Sequence, residues 1–101
     1  MDHSQEFLKL VEEARANVRE IPVPDTLGRV KNGATLIDVR EDKEYAAGHA
    51  AKSVHMGRGV IERDIVFKYP EKGTELILYC GGGYRSALAA ANLQKMGYTN
   101  V

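Results

Sequence analysis

The run from Glu75 to Gly97 constrains the fold more than any other part of this sequence. It begins with the continuous apolar segment ELILY, passes through CGGG, and continues as YRSALAAANLQKM. A short apolar run without alternation is typical of a strand buried on both faces of a parallel sheet. The last segment is rich in alanine and leucine, which favour a helix, and Gly97 stops it. The chain therefore contains a strand–loop–helix unit whose loop is built from three glycines.

The same alternation of strand and helix patterns recurs along the chain. TLIDV predicts a second apolar strand, KSVHM a short one, and YTNV the approach to another. The intervening segments predict a helix over about residues 25–31 stopped by Asn32 and Gly33, one or two helical turns in EDKEYAAG closed by Gly48, and a helix in GVIERDIVFKY. This alternation indicates an α/β domain with a mostly parallel central sheet flanked by helices. Sites in such sheets gather at the carboxyl ends of strands, and Cys80 directly follows a strand.

The N-terminal segment predicts an amphipathic helix outside this alternation. Its apolar side chains recur at helical spacing at Phe7, Leu10, Val11, Ala14 and Val18. We expect Asp2 or Ser4 to cap its start, since their side chains can accept from the first free amides. We expect Pro22 and Pro24 to end it, because proline disfavours helix in the residue before it.

Length and composition fit one small domain. The chain has 101 residues, which we divide into the N-terminal helix over residues 1–20 and a single domain over residues 21–101. Basic and acidic side chains number 14 each, so no global charge favours nucleic acid or an anionic membrane. No apolar run approaches the roughly 20 residues of a membrane helix, and the N-terminus lacks the pattern of a secretion signal. With one cysteine and no internal disulfide, we expect a soluble, cytoplasmic protein.

Cys80 is the residue around which the sequence arranges an anion-binding loop. Only a thiolate is nucleophilic, and a free thiol has a pKa of about 8.5, so the surroundings must favour the anion. The loop precedes a helix whose first amides lack internal partners, and the glycines 81–83 can take left-handed conformations that turn amides inward. Arg85 adds a positive charge, and Ser86 either caps the helix or donates a further hydrogen bond. We interpret Cys80 as an acidic nucleophile.

Three other interpretations of this loop are weaker. A lone cysteine is commonly a small hydrophobic core residue, but such a residue has no need of three glycines beside it. The loop lacks the Gly-Lys-Ser/Thr of a phosphate-binding loop and the spaced glycines of a dinucleotide fold. His3, His49 and His55 form no close ligand pair with one another or with Cys80. We therefore expect no cofactor and no metal.

Two motifs, in this order, resemble the signature of rhodanese-like domains. Residues 36–56, LIDVREDKEYAAGHAAKSVHM, carry Asp-Val-Arg after a strand, then Glu-Tyr and Gly-His. The matching residues are Asp38, Val39, Arg40, Glu44, Tyr45, Gly48 and His49. Further along, LYCGGGYRSALAA resembles the active-site loop of the family. The resemblance covers about residues 21–101 and implies a three-layer rhodanese-like α/β domain, with a mostly parallel central sheet flanked by helices.

The resemblance also implies a thiosulfate sulfurtransferase-like enzyme. In such an enzyme the cysteine takes a sulfur from a small anion such as thiosulfate, becomes a persulfide, and passes the sulfur to cyanide or a thiol acceptor. Cys80 is then the catalytic residue. The expected substrate-binding residues are Gly81, Gly82, Gly83, Tyr84, Arg85, Ser86 and Arg58. The alternative is a non-catalytic rhodanese-like module that binds a partner or senses redox state, which the presence of Cys80 disfavours.

The length of the loop separates two chemistries. Four residues lie between Cys80 and Arg85, whereas the related phosphatases resemble Cys-x5-Arg and have one residue more. A shorter loop makes a tighter ring of donors, which suits a terminal sulfur atom better than a phosphate group. The sequence therefore favours sulfur transfer over phosphate chemistry.

The first motif predicts mostly structural roles. We expect Asp38 to cap or brace the turn after its strand, and Arg40 to pair with a carboxylate such as Glu44. The Gly-His dipeptide at Gly48 is expected to form a turn. Arg58, between two glycines after the segment KSVHM, is either a solvated surface residue or a ligand for the donor anion at the mouth of the loop.

The pattern of the family continues past the last residue of this sequence. Rhodanese-like domains usually add a final strand, a Gly-Gly segment, a tryptophan and a last helix, whereas this sequence stops at Val101 and contains no tryptophan. We therefore expect a C-terminally incomplete domain with an open sheet edge. Because an open edge invites pairing with another chain, we expect either a second subunit, in a dimer through that edge, or the N-terminal helix to cover what is exposed.

Overall fold

Helices and strands alternate through residues 3–101, the part of the chain that the structure, a computed structural model, describes. In chain order they are α1 (Gln5–Arg15), α2 (Val23–Lys31), β1 (Thr35–Asp38), α3 (Asp42–Ala47), β2 (Val54–His55), α4 (Ile61–Lys68), β3 (Leu76–Tyr79) and α5 (Tyr84–Lys95). The predicted order of elements is confirmed. Within these residues no helix is both long enough and apolar enough to cross a lipid bilayer.

The three strands form one parallel sheet in the order β2-β1-β3. The central strand β1 lies level with both neighbours, because Asp38 is opposite His55 on one side and Tyr79 on the other. The predicted α/β class with a parallel sheet is therefore confirmed. Since all three strands run in the same direction, the residues that follow them, among them Val39 and Cys80, meet at one edge.

One face of the sheet packs against α4 and α5. The side chains of this core are almost completely buried. They come from the strands and the residues that directly follow them, from α4 and α5, and from the segment after α5: Ile37, Val39, Met56, Leu76, Ile61, Ile65, Ala89, Leu93 and Tyr98. Leu36, which points to the opposite face, is also buried, at 5% exposure. Burial on both faces explains why TLIDV is continuously apolar instead of alternating. The residues that follow β1 are thus placed by a strand that is packed on both faces.

The C-terminal segment lies beside the outer edge of β3. Gly97 ends α5 with a left-handed backbone, and the buried Tyr98 donates from its hydroxyl to the carbonyl of Tyr69 over 2.7 Å. The amide of Leu76 then donates to the carbonyl of Asn100 over 2.9 Å. YTNV therefore approaches β3 as a strand would, although within the described residues no strand forms there.

The N-terminal helix ends earlier than the sequence suggested. Ser4 caps α1, with its Oγ accepting from the amide of Phe7 over 3.0 Å, while the alternative cap Asp2 lies outside the described residues. The expectation that the two prolines end α1 is wrong, because α1 stops at Arg15 and Pro22 is instead the N-cap of α2. Pro24 lies in the first turn of α2, where its fixed φ fits and its missing N–H is not needed.

Candidate active site

Cys80 is the first residue after β3, at the carboxyl edge of the sheet, and its side chain is partly buried. Gly81, Gly82 and Gly83 lead from it into α5, which begins at Tyr84. Of the three, only Gly83 has a left-handed backbone, with a φ of 82°. The left-handed conformation that the sequence allows for all three glycines is therefore used at Gly83 alone, where it turns the chain into the helix.

Two backbone amides and one hydroxyl surround the sulfur of Cys80. The amide of Gly83 donates to Sγ over 3.1 Å and that of Ser86 over 3.4 Å, while the Oγ of Ser86 lies 3.6 Å from Sγ. Amides at the start of a helix are free to do this because they have no partner within it. Burial raises the pKa of the Cys80 thiol, but hydrogen bonds from Ser86 and from the amides of Gly83 and Gly82 outweigh it and leave the pKa below its ordinary value. The surroundings thus favour the thiolate.

Ser86 acts from inside the helix. The N-cap of α5 is Gly83, which makes no side-chain cap bond, and the hydroxyl of Ser86 donates to the carbonyl of Gly83 over 3.3 Å. The expectation that Ser86 caps the helix is therefore wrong, because α5 begins at Tyr84 and places Ser86 in its first turn. The other expectation, a further hydrogen bond near Cys80, fits this position.

Arg85 is held by a carboxylate of α3. Its Nη1 and Nη2 donate to Oε1 and Oε2 of Glu44 over 2.6 and 3.1 Å, which is a bidentate ion pair. This pair, together with a backbone bond from Glu41, lowers the pKa of Glu44 to about 2. A Cβ on Gly81 would lie 3.9 Å from Nη2, so the guanidinium lies against the Cys80 loop. Arg85 thus ties α3 to the loop and keeps positive charge close to it.

Asp38 braces the turn after β1, as expected. It is fully buried, and its Oδ1 accepts from the backbone amide of Arg40 over 2.9 Å, while the hydroxyl of Tyr79 donates to Oδ2 over 2.7 Å. Burial raises the pKa of Asp38, and the bonds from Arg40 and Tyr79 outweigh it, so that the pKa is lowered. The guanidinium of Arg40 pairs with this same carboxylate. Arg40 therefore pairs with a carboxylate, as expected, but the carboxylate is that of Asp38, two residues away in the same turn, and not that of Glu44, which faces Arg85.

Tyr45, His49 and His55 form an aromatic stack. The ring of His49 stacks on Tyr45 with centroids 3.7 Å apart, and the ring of His55 stacks on Tyr45 at 4.6 Å. The Nδ1 of His49 lies 2.8 Å from the carbonyl of Tyr45. The expected turn at Gly48 and His49 is wrong, because Gly48 is the C-cap of α3 and the turn that follows lies at residues 51–52. Within residues 3–101 no group of three or more His, Cys, Asp or Glu side chains is arranged to hold a metal ion.

Arg58 lies at the carboxyl edge of the sheet, on the side of β1 opposite to Cys80. Its backbone amide donates to the carbonyl of Val39 over 3.0 Å, and the amide of Val39 donates to the carbonyl of Tyr79 over 3.0 Å. Its Nε is buried without a hydrogen-bond partner among the described residues. The side chain is therefore not simply solvated, and no hydrogen bond within this part of the chain joins it to the Cys80 loop.

A groove of about 750 Å³ opens beside Cys80. Cys80, Gly83 and Ser86 line it together with apolar side chains such as Leu27 and Leu78. Residues 17–21, between α1 and α2, line it as well. This volume is in the range of small-molecule sites.

Sequence reasoning missed two contacts at this edge. Tyr79, the last residue of β3, donates from its hydroxyl to Asp38. The sequence signal for this contact was a polar hydroxyl at the end of an otherwise apolar strand. Tyr84 turns its ring toward α1, where it lies against Phe7 and under the guanidinium of Arg15. Nothing in the sequence indicated that the end of α1 meets the loop, because that contact depends on how two separate elements pack.

Comparison with known proteins identifies the family of this chain. A model described as a rhodanese-like domain matches residues 23–101. The chain belongs to the rhodanese-like domain family. The thiosulfate sulfurtransferase PspE of Escherichia coli is 31% identical to this rhodanese-like chain over 65 residues, which are 64% of the chain and 62% of the relative. The chain thus spans less than two thirds of the length of that relative.

Solved structures confirm the rhodanese-like fold. A rhodanese with anions from E. coli superposes with a TM-score of 0.65 at 29% identity, over 68% of this chain and 81% of the other. A protein of unknown function from Rhodopseudomonas palustris, described as a possible tyrosine phosphatase, superposes with a TM-score of 0.82 at 25% identity, over 100% of this chain and 84% of the other. The second match includes α1, which lies before the residues that the family model covers.

Proposed function

We propose that this rhodanese-like domain is a sulfurtransferase that carries sulfur on Cys80 as a persulfide. The observation that carries the proposal is the direction of the amides of Gly83 and Ser86, which both donate to Sγ. Donors fixed in this way stabilise negative charge on the thiolate and then on the persulfide, whose outer sulfur is anionic. The match to a thiosulfate sulfurtransferase of E. coli supports the same chemistry.

The proposed reaction has two half-reactions. In the first, the thiolate of Cys80 attacks the outer sulfur of thiosulfate, a new S–S bond forms, and the old S–S bond breaks with its electron pair leaving on sulfite. In the second, cyanide or a thiolate attacks the outer sulfur of the persulfide, and the thiolate of Cys80 is regenerated as the leaving group. Neither step needs a cofactor or an external oxidant. A reduced cysteine is required throughout, so we infer a reducing compartment such as the cytoplasm.

The proposed roles of the other residues follow from their positions. The glycines 81–83 leave the approach to the sulfur free of side chains, and Arg85 places positive charge beside the loop while Glu44 holds its guanidinium in place. Arg58 has a buried Nε with no hydrogen-bond partner among residues 3–101, and it is a second candidate for contact with an anionic sulfur donor. We keep an edge-to-edge dimer along β3 as part of this proposal, since only Leu76 of that edge is bonded within the described residues.

Phosphate ester hydrolysis is the second candidate. It is favoured by the similarity to the R. palustris protein described as a possible tyrosine phosphatase. Against it stand the four residues between Cys80 and Arg85, one fewer than in the Cys-x5-Arg loop, and the pairing of Arg85 with Glu44. Because the guanidinium of Arg85 is already held in a bidentate pair with Glu44, fewer of its N–H groups are available to donate to the oxygens of a transferred phosphate.

The test is to treat the purified protein with thiosulfate and measure its intact mass. We expect a gain of one sulfur atom, about 32 Da, on Cys80, and its loss when cyanide is added. Cys80→Ser is the matched control and should gain nothing. Hydrolysis of an aryl phosphate is measured in parallel. No sulfur adduct together with rapid phosphate release would replace this proposal with the second candidate, and neither activity would leave a non-catalytic module.

A further inference from the structure

The end of α1 touches the Cys80 loop through Arg15. A Cβ built on Gly83 would lie 3.1 Å from Nη2 of Arg15, so the guanidinium already occupies the space beside that residue. The Cζ of Arg15 also lies 5.2 Å from the centroid of the Tyr84 ring, a cation–π contact with the first residue of α5. Gly83 is the residue whose amide donates to the sulfur. The positive charge of Arg15 therefore lies next to Gly83, the residue whose amide donates to the sulfur of Cys80.

The charge of Arg15 is available to a ligand. Its side chain is 39% exposed, and its Nε pairs with Oε1 of Glu20 at 3.1 Å, where Glu20 is 65% exposed. An exposed ion pair of this kind is weak and easily exchanged. No other carboxylate pairs with Arg15 in the described part of the chain, and a guanidinium has five N–H donors in a planar fork. Most N–H donors of Arg15 therefore have no carboxylate partner among residues 3–101.

Arg15 lies beside the groove at Cys80. Gly83 lines this groove together with Cys80, and the guanidinium of Arg15 lies next to Gly83. Residues 17–20, which follow shortly after the end of α1, also line it. An anion bound next to Gly83 is therefore within reach of the positive charge of Arg15. Arg85, whose guanidinium lies against Gly81, is already neutralised by Glu44 in a bidentate pair.

We propose that Arg15 is a substrate-binding residue that holds the anionic end of the donor while its outer sulfur meets Cys80. The proposal rests on the proposed sulfurtransferase function and names the class of donor, a small oxyanion such as thiosulfate, whose oxygens match the fork of a guanidinium. Arg15 precedes residues 23–101, which the family model covers, so α1 adds this selectivity to a loop that the rest of the domain builds. Glu20 competes with the donor for the same guanidinium.

The first experiment measures charge at the sulfur without sulfur transfer. Iodoacetate and iodoacetamide both alkylate a cysteine and are similar in size, but only iodoacetate is an anion. We expect Arg15→Gln to lower the ratio of the two alkylation rates by about threefold and Glu20→Gln to raise it, because the two changes have opposite effects on the free positive charge. Arg15→Lys should keep most of the ratio. Arg63→Gln is the matched control, since Arg63 is also an exposed arginine paired through Nε, in its case with Asp64 of α4.

The second experiment measures the rate of persulfide formation against thiosulfate concentration. Arg15→Gln should raise the half-saturating concentration by about threefold or more with little change in the maximal rate, and Glu20→Gln should lower it. A purely structural role for Arg15 predicts a lower maximal rate and no response to Glu20→Gln, and that outcome overturns the proposal. An unchanged alkylation ratio in both variants overturns it too, even if the wild type forms the persulfide. If the ratio responds but the wild type forms no persulfide, the proposed function is wrong while the anion-binding role of Arg15 is upheld.

Discussion

At Cys80 the sulfur accepts hydrogen bonds from the amides of Gly83 and Ser86, whereas the guanidinium of Arg85 is shared with Glu44. A backbone amide donates at every pH, and no counter-ion can neutralise it. The charge of Arg85, in contrast, is balanced by the carboxylate that positions it. We infer that the amides supply most of the stabilisation of the thiolate, and that the arginines act on the substrate more than on the cysteine.

We expect Cys80 to be half deprotonated at a pH below that of a free thiol, about 8.5. The reason is that the donors around Sγ outweigh the effect of burial and lower the pKa. Iodoacetamide alkylation rates measured against pH report the midpoint, and the same protein in urea provides the reference. Ser86→Ala removes the side-chain hydrogen bond between Ser86 and Sγ, which contributes to the lowered pKa, and should move the midpoint upward. Equal midpoints in the folded and unfolded protein would show that the loop does not favour the anion.

Substitution at two neighbouring glycines should have different consequences. Gly83 has a left-handed backbone and lies against Arg15, so Gly83→Ala should cost about 1–2 kcal/mol in the free energy of unfolding. A Cβ on Gly82 meets nothing within 4 Å, and its φ is not left-handed, so Gly82→Ala should stay within about 0.5 kcal/mol. Urea denaturation measures both values. Equal costs would mean that the backbone at Gly83 is not what the loop depends on.

Among the elements, α3 and α5 are joined across the carboxyl edge of the sheet by the pair of Glu44 and Arg85. Glu44 also takes part in the capping box of α3, where its side chain accepts from the amide of Glu41 over 3.1 Å. One carboxylate therefore both begins a helix and holds the first turn of another. Through Glu44, the short helix α3, which follows the DVR motif, is held next to the first turn of α5 and so next to the Cys80 loop.

The contribution of Glu44 to stability should depend on pH in a defined window. Its pKa in the folded protein is about 2, below its ordinary value of 4.5, so the ionised form favours folding. That contribution is fully present above pH 4.5 and is lost as the pH falls toward 2. Wild type and Glu44→Gln should therefore differ in unfolding free energy at neutral pH and converge near pH 2. Glu13→Gln, at an exposed position of α1, is the matched control, and a constant difference for Glu44→Gln across this range would contradict the prediction.

For the molecule as a whole, the sequence predicted those helices and strands that are determined by the local pattern of apolar and polar residues. The buried strands β1 and β3 and the helix α5 follow from runs of apolar and alanine-rich sequence, and the DVR and CGGGYR motifs identified the edge where they meet. Partners of charged groups were less predictable. Glu44 was the example of a carboxylate partner expected for Arg40, yet tertiary packing brings Glu44 to Arg85, which is far along the chain. The end of α1 and its contact through Arg15 depend on packing in the same way.

Protection from hydrogen exchange should follow the order of the strands. β1 is the central strand, and Ile37 and Val39 are 0% and 1% exposed, so their amides open only with the whole domain. β2 is a two-residue edge strand, Val54–His55, with both residues partly exposed, so its amides should exchange faster through local opening. Exchange measured residue by residue by NMR checks this. Faster exchange in β1 than in β2 would contradict the strand order.

The buried carboxylate of Asp38 also selects one alignment of the sheet over its neighbours. If β3 slipped by one residue along β1, Tyr79 would face the other side of the sheet, and the position of Cys80 would move by about 3.3 Å. Asp38 would then be buried without the hydroxyl that donates to it, at a cost of about 1–3 kcal/mol. Apolar residues alone distinguish such misaligned folds poorly, because ELILY presents similar side chains in either alignment. A polar contact that never touches the sulfur thus keeps competing conformations unpopulated, and the position of the nucleophile is reproduced each time the chain folds.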